Sequence, residues 1–344
     1  MHDTRFTDHD LRVKPDTKIY VAGHRGLAGS ALVRELQRRG YHNLVLRTHA
    51  ELELTDRAAV KAFFERENPE YVFLAAARAG GILANNTFPA EFIYQNLAIQ
   101  TNVIDEAWRS GVKRLLFLGA SCIYPRDCPQ PMRESHMLTG PLEFTNHSYA
   151  LAKIAGVEMC WSYNRQHGAR FLTAVPNSLY GPGDNYDLEY GHVLSAFIRR
   201  FHEAKVGGAK SVTLWGTGTP RREMLHSDDM AEACVAMMEL PDARFDELVA
   251  NDPKSPQPPL VNIGWGEDYT IRELADRVRE VIGYRGEVVW DSTKPDGSPR
   301  KLLDISRVKA LGWSPRISLE AGLRGAYQDF LARFHPGKAW PAGS

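Results

Sequence analysis

Tyr149 and Lys153 stand four residues apart, a spacing that puts a phenol and an ammonium on one face of a helix. An ammonium beside a phenol stabilises the phenolate, so the tyrosine pKa is expected to fall toward neutrality. Such a pair can give or take a proton at a carbonyl oxygen while a hydride moves, and the lysine can bind a nicotinamide ribose. A solvated helix face produces the same spacing by chance, so the pair needs its surroundings. A second reactive stretch lies upstream, where residues 119–125 read Gly-Ala-Ser-Cys-Ile-Tyr-Pro after the apolar run 114–118. It offers the Ser121 hydroxyl, the Cys122 thiol and the Tyr124 phenol.

A third stretch, Gly23-His24-Arg25-Gly26-Leu27-Ala28-Gly29, follows an apolar strand and opens a helical pattern. Glycines in that context allow a tight turn and close approach to a pyrophosphate, while the helix N-terminus offers free N–H groups to the anion. This predicts dinucleotide binding. An NAD site usually places an acid at the end of the second strand for the ribose 2′-hydroxyl. Here that strand ends Leu46-Arg47-Thr48-His49, with no acid before Glu51. Arg25, with Arg47 or His49, favours a 2′-phosphate, so NADP is expected over NAD.

These groups must be held by regular elements. Strands are expected at 18–22, 43–47, 71–76, 114–118 and 171–175, and helices at 30–39, 58–66, 89–110 and 149–167. Gly40 and Gly168 fit helix C-terminal positions. Strand–helix alternation predicts an α/β fold, a Rossmann-like doubly wound parallel sheet covered on both faces. After Leu179 the pattern changes. Residues 180–185 are turn-rich, and 251–259 read as a proline-rich loop. Helices are expected at 192–205, 228–239 and 271–282, and strands at 212–215, 260–263 and 287–290. This reads as a smaller mixed C-terminal substrate lobe. The expected division is a disordered leader at 1–16, a dinucleotide domain at 17–180 plus about 225–263, and the lobe at 181–224 plus 264–334.

Composition narrows the partners. The 344 residues carry 42 basic and 42 acidic side chains, which argues against a general nucleic-acid or membrane-surface binder. No apolar run approaches the ~18 residues of a membrane span. Cys122, Cys128, Cys160 and Cys234 form no Cys-x-x-Cys pair, so neither a metal site nor a disulfide framework is suggested. A cytoplasmic protein is the expectation.

Taken together, the motifs resemble the extended short-chain dehydrogenase/reductases and, within them, the GDP-L-fucose synthases. The resemblance is carried by the glycine turn, by Leu74-Ala-Ala-Ala-Arg-Ala-Gly-Gly-Ile82, by Phe92-Ile-Tyr-Gln-Asn96 and by Cys122-Ile-Tyr-Pro125. Tyr149 to Lys153, Leu179-Tyr-Gly-Pro182, His192-Val193, Leu225-His-Ser-Asp-Asp-Met230 and the run from Lys294 to Leu303 complete it. It implies an enzyme that epimerises GDP-4-keto-6-deoxy-D-mannose at C3 and C5, then reduces the C4 ketone with NADPH to give GDP-L-fucose. Cys122 and His192 would be the epimerisation base and acid, and Tyr149 and Lys153 would serve reduction. The cofactor would lie on residues 23–29, His49, Leu118, Gly119, Ala120, Lys153, Pro176, Asn177, Ser178, Leu179 and His192. The GDP-sugar would lie on Arg200 (or its neighbour Arg199), Trp215, Arg222, Asp296 and Lys301. A homodimer paired through helices 89–110 and 149–167 is implied by the wider family.

Three positions depart from that pattern. Ala120 stands where a hydroxyl is expected beside the catalytic tyrosine. Ser121 is the candidate replacement, although strand alternation should point it away. Asn177 and Ser178 exchange an amide and a hydroxyl, and His49 replaces a common arginine. Two other readings remain: a reductase or epimerase of another GDP-4-keto sugar such as a heptose, and a dinucleotide-binding sensor or scaffold.

Overall fold

The computed structural model describes residues 13–251, 256–294 and 296–334. Its first half alternates as the periodicity predicts. β1 (Ile19–Ala22), α1 (Leu27–Arg38), β2 (Leu44–Val45), α2 (Arg57–Glu67) and β3 (Tyr71–Leu74) lead to α3 (Ile82–Thr87) and α4 (Pro89–Arg109). β4 (Arg114–Leu118), α5 (His147–His167), β5 (Phe171–Pro176) and β6 (Ser178–Tyr180) follow. The second half comprises α6 (Val193–Val206), β7 (Ser211–Trp215), β8 (Arg221–Arg222), β9 (Met224–His226), α7 (Ser227–Met238) and α8 (Asp242–Val249). β10 (Leu260–Ile263), β11 (Tyr269–Thr270), α9 (Ile271–Ile282), β12 (Glu287–Asp291), β13 (Arg300–Lys301), α10 (Ser306–Ala310) and α11 (Leu319–Arg333) end it.

Six strands form one parallel sheet in the order β10-β5-β4-β3-β1-β2. β1, β3, β4 and β5 are buried along their whole length, as strands covered on both faces must be. Local chemistry fixes the helix ends. Asp56 accepts from the Ala58 and Ala59 N–H groups at the start of α2. Gly168 closes α5 in the left-handed region, and Thr270 with Glu273 forms a capping box on α9. The chain leaves β1 toward β2 on one side and returns to β3 on the other. The crevice at this switch point, past the strands' C-terminal ends, is where open α/β sheets bind ligands.

Two apolar clusters underlie the molecule. The larger surrounds the sheet. The smaller joins α6, β7, α9 and α11 through residues such as Phe197, Phe201, Leu214, Leu274 and Phe330. The chain crosses between them more often than the expected division implies, because Leu303, Ile305, Val308 and Trp313 pack with the sheet. Of the expected leader, residues 1–12 lie outside the described residues. Val13 is already buried, and the Pro15 and Asp16 carbonyls accept bonds from His42 and Asn43. The elements α3, β6, β8, β9, α8, β11, β13, α10 and α11 went unpredicted; all but α11 are short, and several are too short to show a period. Among the described residues no helix is long and apolar enough to cross a membrane.

Candidate active site

The glycine turn is built by backbone contact. Gly23 has a φ of +80°, where glycine is favoured. A Cβ there would lie 2.7 Å from Ala76 Cα, and a Cβ on Gly29 would lie 2.0 Å from the Gly23 carbonyl oxygen. Gly26 caps α1 with no side-chain bond, and the first turn carries no acid. The N–H groups of Leu27, Ala28 and Gly29 are therefore left for an anion. His24 Nδ1 is buried without a hydrogen-bond partner, and burial with the adjacent Arg25 charge lowers its pKa. The cradle and the orphaned nitrogen fit a dinucleotide. We expect Gly29→Ala to weaken NADPH binding roughly tenfold or more, the size of one lost charge-assisted contact. Fluorescence titration with NADPH checks this, and unchanged affinity would contradict the assignment.

The cations expected around the 2′-position differ in their partners. Arg47 donates to Glu67 at 2.7 Å and to the Leu46 carbonyl at 2.8 Å. His49 lies 2.7 Å from Glu53 and is largely exposed. Both have acidic partners, whereas Arg25 is exposed and without an ion pair among the described residues.

The remaining cofactor candidates share this sheet edge. Leu118 ends β4, Gly119 donates to the Ala174 carbonyl at 2.8 Å, Pro176 ends β5, and Ser178 and Leu179 begin β6. A Cβ on Gly119 would press on the Thr173 and Val175 methyls at 3.2 Å. Ala120, half-buried, precedes a 3-10 turn over Ser121–Ile123. Because the strand gives way to this turn, strand alternation no longer sets where Ser121 points. Its hydroxyl donates to Asn177 Oδ1 at 3.1 Å, into a buried network. Ser121 is thus engaged in that network. Tyr124 donates to Asn262 Oδ1 at 2.5 Å and is scaffold.

The Cys122 thiol is buried. Burial raises its pKa, and the charges of Lys301 and Lys153 oppose that rise. Lys153 Nζ donates to the Leu118 carbonyl at 2.6 Å and lies 5.8 Å from the Tyr149 ring centroid. Burial lowers its pKa to about 8. The expected fall of the tyrosine pKa does not occur here. Burial, with the Cys122 charge, pushes Tyr149 upward, so its phenol stays protonated. One of the ammonium's three N–H groups is thus given to the Leu118 carbonyl.

His192 is the N-cap residue of α6. It is exposed, but surrounding protein still lowers its pKa. The loop before it is tied to the start of α3, since the Gly81 N–H donates to the Tyr190 carbonyl at 2.9 Å. Among the described residues no hydrogen bond joins His192 to Cys122.

On the lobe side, Arg199 is engaged by Glu203 at 2.8 Å, whereas Arg200 lies 5.8 Å from the Trp215 ring centroid. The choice between neighbours therefore falls on Arg200. Trp215 is 48% exposed, so it is a surface platform and not core. Parallel pairing sets Lys301 beside Arg222. Both are half-buried, the surrounding protein lowers the pKa of each, and neither has an ion pair among the described residues. Two half-buried cations without a paired carboxylate suit a diphosphate. Asp296 accepts from the Thr217 N–H at 3.1 Å and hydroxyl at 2.7 Å.

The NAD dependent epimerase/dehydratase family matches residues 19–251. This chain belongs to that family. It is 56% identical to GDP-L-fucose synthase 1 of Arabidopsis thaliana over 314 residues, 91% of this chain and 93% of the relative. The fold matches a GDP-6-OMe-4-keto-L-xylo-heptose reductase from C. jejuni with a TM-score of 0.89 and 40% identity, covering 94% and 99% of the two chains. It also matches MlghC, a GDP-mannoheptose C4 reductase from Campylobacter jejuni with NADP bound, with a TM-score of 0.82 and 41% identity, covering 93% and 99%.

Within this family site, sequence reading missed the network below Ser121. Asn177 Nδ2 donates to Glu223 Oε2 at 2.5 Å and to the Lys301 carbonyl at 3.2 Å. The available signal was an acid, Glu223, set between two arginines and the apolar pair Met224-Leu225.

Proposed function

We propose that this chain epimerises GDP-4-keto-6-deoxy-D-mannose at C3 and C5 and reduces the C4 ketone with NADPH, giving GDP-L-fucose. The observation that carries this reading is one neighbourhood holding two chemistries. Cys122 lies within electrostatic reach of Tyr149, Lys153 and Lys301 at once. The 56% identity to the plant GDP-L-fucose synthase 1 supports it.

Arg222 and Lys301 bind the diphosphate, and Trp215 with Arg200 flanks the nucleotide-sugar. Protons alpha to a ketone are acidic because the enolate spreads charge onto the carbonyl oxygen. Cys122 takes such a proton and His192 returns one from the other face, inverting the carbon. Tyr149 hydrogen-bonds the C4 oxygen, which steadies the enolate and later protonates the alkoxide. Residues 23–29 hold NADPH, which supplies the hydride when bound. Lys153 keeps positive charge beside the developing alkoxide.

Incubation of the GDP-4-keto sugar in D2O without NADPH tests the first half, and NMR of the product with NADPH tests the second. Deuterium at C3 and C5 followed by GDP-L-fucose is expected. Reduction without exchange would favour a reductase of another GDP-4-keto sugar, a reading that the two heptose reductase structures support. No turnover at high enzyme would leave the dinucleotide-binding scaffold.

Ala120 removes one donor beside Tyr149. We expect Ala120→Ser to speed reduction, by roughly tenfold or more if the hydroxyl reaches the C4 oxygen. Single-turnover NADPH oxidation measures it, and an unchanged rate would show that another donor fills the role. A homodimer through α4 and α5 is part of the proposal, supported by the exposed Tyr94 and Leu151 on these helices. Four buried free cysteines suit a reducing, cytoplasmic setting.

A further inference from the structure

Glu223 lies between Arg222 of β8 and Met224 of β9, and it is fully buried. No cation pairs with it among the described residues. Its carboxylate instead collects donors from three separate chain segments. Oε2 accepts from Asn177 Nδ2 at 2.5 Å and from the Leu303 N–H at 3.0 Å. Oε1 accepts from the Gly266 N–H at 2.6 Å. The 264–266 turn is shaped around it, since a Cβ on Gly264 would lie 2.3 Å from Oε1. The Glu223 N–H also donates to the Lys301 carbonyl at 3.2 Å.

These bonds join two parts of the site. On one side, Glu223 fixes β8 against β13, the pair that presents Arg222 and Lys301 in register. On the other, Asn177 relays the connection to Ser121, whose hydroxyl donates to Asn177 Oδ1 at 3.1 Å. Ser121 opens the 3-10 turn that carries Cys122. The network passes through neither Tyr149 nor Lys153, which are placed by α5 and by the Leu118 carbonyl.

We propose that Glu223 is a positioning residue that sets the Cys122 turn against the Arg222–Lys301 pair, and so aligns the sugar carbons with the thiol. This rests on the functional reading above. Loss of the carboxylate shifts the cations and the thiol relative to each other. It should therefore impair epimerisation and GDP-sugar binding more than cofactor binding or proton delivery from Tyr149.

Glu223→Gln is the test, because it keeps shape but puts an amide where Asn177 Nδ2 and the Leu303 N–H need an acceptor. Deuterium uptake at C3 and C5 is expected to fall at least about tenfold, with a several-fold rise in KM for the GDP-sugar. NADPH affinity is expected to stay within about twofold of wild type. The exchanged pair Asn177→Asp with Glu223→Gln restores a carboxylate–amide contact and should recover part of the lost exchange. The pair also carries the test if E223Q alone does not fold. Unchanged exchange and KM in E223Q would overturn the proposal. Equal losses of exchange, reduction and NADPH binding, with no recovery in the exchanged pair, would overturn it too, since a general folding role predicts that. Absence of exchange and NADPH oxidation in the wild type would instead defeat the functional reading.

Discussion

Replacing Cys122 by alanine is expected to lower deuterium uptake at C3 and C5 about 10²- to 10⁴-fold, the usual worth of a positioned acid–base group. The thiol is buried, so its charged form is disfavoured, yet Lys301 and Lys153 favour that form. A base in this setting works better as pH rises, because the thiolate fraction grows toward a pKa held above the ordinary value. Exchange by the wild type should therefore climb from neutral toward alkaline pH, and the alanine variant should lose that climb. NADPH affinity should not change, since residues 23–29 and Lys153 are untouched. Exchange at the wild-type rate in the variant would remove Cys122 from the mechanism.

The second large effect is at Tyr149. Tyr149→Phe is expected to slow single-turnover NADPH oxidation by about 10²- to 10⁴-fold. Burial raises the phenol pKa, so the wild-type group stays protonated through the neutral range and acts as an acid. The pH dependence of reduction then belongs to Lys153, whose pKa is lowered to about 8. Above that pH the lysine loses its charge, the alkoxide loses its support, and reduction should slow. Exchange should also fall in Tyr149→Phe, because the same phenol steadies the enolate. This separates the two variants: Cys122→Ala impairs exchange selectively, while Tyr149→Phe impairs both reactions. Wild-type NADPH oxidation in Tyr149→Phe would contradict the assignment.

The expected strands at 114–118, 171–175 and 260–263 coincide with β4, β5 and β10 to within one residue. Such runs are apolar because both faces of a parallel sheet are covered, and burial is written into composition. The glycine turn was equally readable, since positive φ at Gly23 and the close approach at Gly29 leave little choice of residue. The choice of cations was not readable. Arg25, Arg47 and His49 look alike as neighbours in sequence, but Glu67 lies twenty residues from Arg47 and holds it.

The sequence by itself determined the alternating architecture, the phosphate-binding turn and the one-faced spacing of Tyr149 and Lys153, because each follows from local geometry over a few residues. Only the tertiary structure decided which arginine meets Trp215, that Lys153 bonds the Leu118 carbonyl, and that Ser121 belongs to the Asn177–Glu223 network. Those outcomes depend on partners well outside the local window, from 15 residues away for Arg200 and Trp215 to 56 for Ser121 and Asn177. A side chain's charge state and direction are set by what folding packs against it, and no spacing rule carries that information.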